Sequence, residues 1–245
     1  MRGDPLAGIR GLADVDPAVT GARAAVDDAY RHPALRRHGG PVVAEVSLRA
    51  AVASAALAGS RYEVEDVRAG TVTDPVLQGA LRCAGALPGL VEIWPRAPRQ
   101  VLARLHLLAA RDVVDSDRLG RPLADPEVAA RLDALARLVT GGAAPGLVRA
   151  AVVHGELLAL RAFPGPYGVV ARAAARIELV SGGLDPRGVI PVEMAHLSRE
   201  PEYVGAAGAF ATGTPDGIRA WLRHCATAAR VGAGLLPGLI SRLDL

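Results

Sequence analysis

The sequence predicts an all-α protein, and three observations carry that prediction. Residues 125–139 place Val128, Leu132, Leu135 and Val139 at helical intervals, with Asp125 as N-cap and Gly141-Gly142 as the stop. Residues 146–183 read as an apolar helix, a Pro/Gly loop and a second helix. No stretch alternates apolar and polar residues in the manner of a half-buried strand, so at most a small β-hairpin is expected.

Taken in order, residues 1–40 are an N-terminal leader packing on the main domain, punctuated by Pro, Gly and Asp. They include one short helix over 17–30, with Asp16 as its N-cap and Pro17 in the first helical position. Residues 41–245 form the main domain. Its first helix, within 41–59, has Val42, Val43, Val46, Ala50, Ala53 and Leu57 on one broad face. Residues 64–85 are a helix interrupted at Thr73-Asp74-Pro75, and 99–111 an amphipathic helix carrying His106. The stretch 115–122 is a turn-rich loop. The first arm of the central pair, 146–162, is apolar almost all round and is predicted to be a buried helix. The second arm carries Val169, Val170, Ala173, Ile177 and Val180 at helical spacing and stops at Gly182-Gly183. A last helix over 218–231 presents Trp221, Leu222, Cys225 and Ala229 inward.

Composition narrows the chemistry. With 51% hydrophobic and 22% charged residues, the 245-residue chain can bury one sizeable core. No apolar run reaches the roughly 20 residues of a membrane span, and Met1-Arg2-Gly3-Asp4 leads into no signal-peptide hydrophobic region. Cys83 and Cys225 stand alone, which argues for a reduced, cytoplasmic setting and against a zinc or disulfide scaffold. All 28 basic residues are Arg, so there is no Walker lysine, Schiff-base lysine or pyridoxal anchor. There is no Asn either. A net charge of +3 with 3% aromatics and no Arg-rich helix face argues against nucleic acid as a partner. His154-Gly155-Glu156 is not a zinc-protease motif, and the glycine-rich signatures of dehydrogenases, hydrolases and P-loop enzymes do not occur.

The loop between the central helices carries a more specific signal. The run Arg161-Ala162-Phe163-Pro164-Gly165-Pro166-Tyr167-Gly168-Val169-Val170-Ala171-Arg172, with His154 seven residues upstream, resembles the signature of the Fic (Fido) family of nucleotidyl transferases. That signature reads H-P-F-x-(D/E)-G-N-G-R-x-x-R. Phe163, Gly168 and Arg172 match it. Ser54, Ala58 and Gly59 resemble the family's inhibitory-helix motif (S/T)-x-x-x-E-(G/N), with Ala58 in the position of the inhibitory Glu. Leu105-His106 fits the family's LH element. The loop 115–122 falls near the family's target-docking flap, and Trp221 falls in a last helix where the family also has a Trp.

The resemblance implies a Fic-like helical bundle, and it implies that the chemistry has changed. In an active member the motif His takes the proton from a target hydroxyl, which attacks the α-phosphate of ATP (AMPylation). Here Arg161 stands in that position, and a guanidinium stays protonated. His154 lies about 10 Å up the helix axis, out of reach of the loop. Gly165 replaces the acidic Mg²⁺ ligand, Pro166 replaces an anion-hole Gly and has no N–H, Tyr167 replaces the Asn, and Val169 replaces a phosphate-binding Arg. What the signature leaves is a residual anion or nucleotide site at Gly168, Arg172 and Arg161, at a helix N-terminus. Two uses of the arginines are open at this level. They hold a phosphate or carboxylate, or Arg172 pairs with a structural acid while Arg161 caps the carbonyls of the first central helix. The expected protein is thus a Fic-like module with a degenerate site that binds a partner or a nucleotide. The alternative is a nucleotidyl or phosphoryl transferase acting on protein hydroxyls through a rebuilt site. No catalytic residue and no metal ligand is assigned. ATP or another nucleotide is the ligand the resemblance brings, with no acidic residue for Mg²⁺. A protein partner is expected, a membrane is not, and a homo-oligomer stays open. A loop pocket plugged by Tyr167 or Phe163 would instead mark a structural subunit.

Overall fold

The computed structural model describes residues 6–142 and 144–243. The stretch Met1 to Asp4, read above for a signal sequence, lies outside them. Among the described residues there are thirteen α-helices and no strand. In chain order they are α1 (Ala7–Arg10), α2 (Val15–Ala29), α3 (Pro33–Arg37), α4 (Gly39–Ala56), α5 (Val64–Arg68), α6 (Pro75–Ile93), α7 (Pro98–Ala110), α8 (Pro126–Gly141), α9 (Gly146–Leu160), α10 (Tyr167–Ser181), α11 (Val192–Ser198), α12 (Glu200–Ala211) and α13 (Pro215–Ile240).

The centre is the antiparallel pair α9 and α10. Nearly every residue of α9 from Gly146 to Gly155 is buried, as is every residue of α10 from Val169 to Leu179. The two helices close tightly because glycines meet at their far ends. A Cβ on Gly146 would lie 2.5 Å from the Gly182 carbonyl oxygen. Around this pair, α6, α7 and α8 build one apolar core with Trp94, Leu102, Leu105 and Ile177, and α2, α3, α4, α11 and α13 build a second. Leu35 of α3 and Ala22 and Val26 of α2 lie in that second core beside Leu236 of α13.

Several boundaries differ from the sequence expectation, each for a local reason. α2 begins at Val15, and Asp16 sits in its first turn, paired with Arg10 at 3.0 Å instead of capping. The N-cap position falls to Asp14, at φ 63°. Asp74 does not merely interrupt a helix; its side chain accepts the Leu77 N–H at 2.8 Å and starts α6 afresh. α6 and α13 run on through Pro88 and Pro237 to Ile93 and Ile240. Both prolines face solvent, where water can satisfy the carbonyl that a missing N–H leaves open. On α8 the expectation holds: Val128, Leu132, Leu135 and Val139 are all buried, and Asp125 accepts the Glu127 N–H at 2.7 Å.

The cores are stitched by buried charges that no local pattern announces. Glu178 of α10 accepts the Trp94 indole N–H at 2.7 Å and the Arg149 Nε at 2.7 Å, while Arg149 also donates to the carbonyls of Gly142 and Ala144. Two residues before it on α10, Arg176 donates to Glu193 at 2.9 Å and to the Gly188 and Ile190 carbonyls. Between α9, α11, α12 and α13 lies a seam of rings. His154, His196, Tyr203, Trp221 and His224 pack with neighbouring centroids about 5–6 Å apart, in the ordinary range for such contacts. His196 Nδ1 and His224 Nε2 share one proton at 3.0 Å, and the Trp221 indole donates to the Ala151 carbonyl at 2.7 Å.

Two predictions follow from burial. Leu157 is buried whereas Leu160, expected to be equally central, is only half-buried in the last turn of α9. Leu157→Ala should therefore cost about 2–5 kcal/mol in urea denaturation, and Leu160→Ala clearly less; equal costs would contradict the packing. The second concerns pH. Burial holds His154 and His196 well below the usual histidine value, Arg172 adding to both, and pushes His224 down to about 4. Their folded values lie below the unfolded one near 6.5, so the unfolded chain binds the extra protons. The stability from this seam is present above about pH 6.5 and is lost as pH falls. The urea midpoint should drop between about pH 7 and about pH 5, and His224→Gln should flatten that drop; a midpoint flat over this window would show that the histidines titrate freely in the fold.

Candidate functional site

The loop between α9 and α10 is held from both sides. Arg161 ends α9 in the left-handed region, at φ 45°, and its N–H reaches the Leu157 carbonyl at 3.2 Å. The Ala162 carbonyl accepts the Leu123 N–H at 2.8 Å. Phe163 turns into the core and packs on the His106 ring at 4.9 Å. His106 Nδ1 accepts the Gly120 N–H at 3.0 Å, so its proton sits on Nε2, which donates to the Pro164 carbonyl at 2.9 Å. The histidine thus makes two hydrogen bonds and ties the 115–122 loop to the central loop. No hairpin forms there; the chain makes a single 3₁₀ turn at Ser116–Arg118.

After Pro164 the chain bends at Gly165, at φ 76°, with Val114 Cγ2 2.7 Å from where a Cβ would stand. The Tyr167 N–H folds back to the Gly165 carbonyl at 2.8 Å, and the Val169 and Val170 N–H groups bond the Pro166 carbonyl. Among the described residues the Gly168 N–H has no acceptor. It is the one amide left open at the start of α10, because Pro166 has none to offer.

Arg172 lies beneath Gly168. A Cβ at Gly168 would stand 3.1 Å from Arg172 Nη1, so a larger residue there would press on the guanidinium. Arg172 Nε donates to Ser54 Oγ at 2.9 Å, Nη2 to the Ser54 carbonyl at 2.7 Å, and Nη1 to the Tyr203 hydroxyl at 3.2 Å. Tyr203 is then left to donate its own proton to His154 Nε2 at 3.0 Å. Arg172 does not pair with a structural acid: although 3% exposed, it has no carboxylate within ion-pairing distance among the described residues. Arg161 closes α9 with its backbone, not its side chain. The exposed guanidinium lies over the Tyr167 ring, 5.2 Å from the centroid.

These residues line one open cleft of about 790 Å³. Its floor is Arg172 and Gly168, one wall is the Gly165–Gly168 loop with Arg161, and another is the end of α4 at Leu57 and Ala58. The remaining walls are α12, from Tyr203 to Ala211, the last turn of α9 at Leu158 and Ala159, and Val76 and Val113. The structure therefore brings together Arg161, Gly165, Pro166, Tyr167, Gly168, Arg172 and Ala58. Ser54 lies beneath them on Arg172, and Gly59, at φ 95°, ends the α4 turn. It does not bring in Phe163, 4% exposed, or Val169, 1% exposed; both are core residues. Neither Phe163 nor Tyr167 plugs the cleft. His154 faces the ring seam and does not line it.

The lining has no carboxylate, imidazole, amide or Ser/Thr hydroxyl. Its hard-ligand set is empty, so it does not fit Mg²⁺, and among the described residues no group of three or more His, Cys, Asp or Glu is placed to hold a metal. Its electrostatics come from two guanidiniums, one amide and a helix start, all favouring an anion. Sequence reasoning missed Tyr203 and the helix that carries it. The available signal was Pro201 at a helix start with Tyr203 and Phe210 two turns apart on one face.

No protein-family model and no curated protein matches the chain. Among solved structures it is similar to a Fic family protein from Desulfovibrio desulfuricans G20, with a TM-score of 0.75 and 19% identity over 92% of this chain and 75% of that one. It is also similar to Fic-1 from C. elegans, with a TM-score of 0.71 and 14% identity over 94% of this chain and 74% of that one. At these identities the likeness is one of architecture: the chain has the fold of Fic family proteins.

Proposed function

We propose that this protein is a binding module on a Fic-like fold, whose transferase site has decayed and whose cleft holds an anionic ligand without passing a group on. The observation that carries this reading is the lining itself, two arginines and an open amide with no group able to accept a proton. Arg161, in the position of the family's base, is cationic at any working pH. The nearby imidazoles are committed elsewhere, His106 to Pro164 and Gly120, His154 to Tyr203. A rebuilt transferase would need a carboxylate and a base beside the loop, and the lining supplies neither. A nucleotide phosphate or an acidic group on a protein partner would meet the same charges. The rim exposes Val113 and Val204, at 40% and 61%, to whatever docks.

The direct test is label transfer from α-labelled ATP, with Mg²⁺ or Mn²⁺, to the protein itself and to a cell lysate. Wild type should stay at background, and Arg161→His should too. The missing base accounts for about 10²–10⁴ in rate, and the lost amide at Pro166 for about another 10²–10³ by analogy with oxyanion holes. The histidine restores only the first. Labelling by the wild type that disappears when Gly168 is substituted would overturn this reading. A second expectation tests the binding side. Ala58 lines the cleft, so Ala58→Glu should place a carboxylate in the arginines' field and weaken anion binding several-fold, by competition of the kind one charged contact carries; unchanged or tighter binding in a titration would reject that assignment of Ala58.

A further inference from the structure

The walls of the cleft limit what an anion bound there can look like. Apart from Arg161, Arg172 and the two tyrosines, every lining side chain is aliphatic or absent: Leu57, Val76, Val113, Leu158 and Val204 lead this set. Sugar hydroxyls or the polar edge of a base would find few side-chain partners on such walls, and a polar group buried without one is destabilising. The one exposed aromatic face is already covered, because Arg161 lies over the Tyr167 ring. The anion-binding end is also small. Arg172 spends three of its five N–H groups on Ser54 and Tyr203 and is only 3% exposed, so it contributes charge more than accessible donors. The accessible donors for direct contact are the Arg161 fork and the Gly168 N–H, which match the two oxygens of a carboxylate better than the oxygens of a phosphate chain. The volume, about 790 Å³, lies in the range of small-molecule sites.

We propose that the ligand is an amphipathic monocarboxylate, an aliphatic chain laid against the α12 and α4 walls with its head at Arg161 and Gly168. This rests on the anion-binding reading above and narrows it to a class of ligand. Decanoate is the probe, titrated into the full chain by calorimetry at low salt and below its micelle concentration. Decanol, inorganic phosphate and AMP are titrated in parallel. Decanoate should bind saturably and more tightly than the other three. Arg161→Gln should weaken decanoate about ten-fold or more, the factor that losing one charge-assisted hydrogen bond carries, and leave decanol unchanged. Ala207→Trp, at a half-buried wall position where the added ring fills the cleft, should abolish decanoate binding while the urea midpoint stays near wild type. AMP or phosphate binding more tightly than decanoate would overturn this inference and leave the anion site standing. Decanol matching decanoate, with Arg161→Gln neutral, would overturn the carboxylate head. Failure of every anion to bind would remove both the inference and the reading beneath it.

Discussion

One buried cation organises this molecule. Arg172 sits near the start of α10 with no carboxylate beside it, yet it joins three elements distant in sequence: the end of α4 through Ser54, α12 through Tyr203, and its own helix start beneath Gly168. A buried guanidinium without a counter-charge is expensive unless its donors are satisfied. Here three hydrogen bonds, one from each nitrogen, hold it without neutralising it. The charge that results is felt in two directions. On one side it lies under the open cleft. On the other it bears on His154 and His196, where it adds to burial in keeping both rings neutral.

The loop separates two kinds of residue that a sequence signature writes as one string. Phe163 and Gly168 hold shape: one plugs the core against His106, the other clears room for a guanidinium. At two other positions of that string packing limits what side chain can stand there. Val169 belongs to the main core at 1% exposure, so an arginine put back there would bring a charge among Val170, Ala173 and Ile177. Gly165 stands at φ 76° with Val114 against the missing Cβ, so an acidic side chain there would meet both strain and contact. At Val169 and Gly165 the departures from the Fic pattern are therefore built into the fold around them and are not changes that single substitutions reverse.

Periodicity in the sequence made the helices legible, and spacing made the loop legible, because both are local. Val128, Leu132, Leu135 and Val139 face one way for reasons contained within four turns. The same locality explains the misses. The helices expected to end at 85 and 231 run on through Pro88 and Pro237, whose solvent-facing positions let them continue. The partners of Arg172, Arg149 and Arg176 lie on other elements, and nothing in the residue types says that Arg172 would take a serine and a tyrosine in place of an acid. The site was legible as a motif at Arg161–Arg172 and illegible as a cleft, since one of its walls, α12, had not been read as a helix at all.

That wall bears on what the cleft is for. α12 is rich in small residues, and Ala207, Gly208 and Ala211 face the opening beside an exposed Val204. A hollow of this kind keeps apolar surface in contact with water, which is unfavourable at about 25 cal/mol per Å². Larger side chains at Ala207 or Ala211 would close it without disturbing Arg172, whose contacts run through Ser54 and Tyr203. The fold's own stability therefore does not require the opening. Apolar walls around a satisfied but uncompensated cation are accounted for if an occupant supplies the two things the protein withholds there, a negative charge and a hydrophobic body.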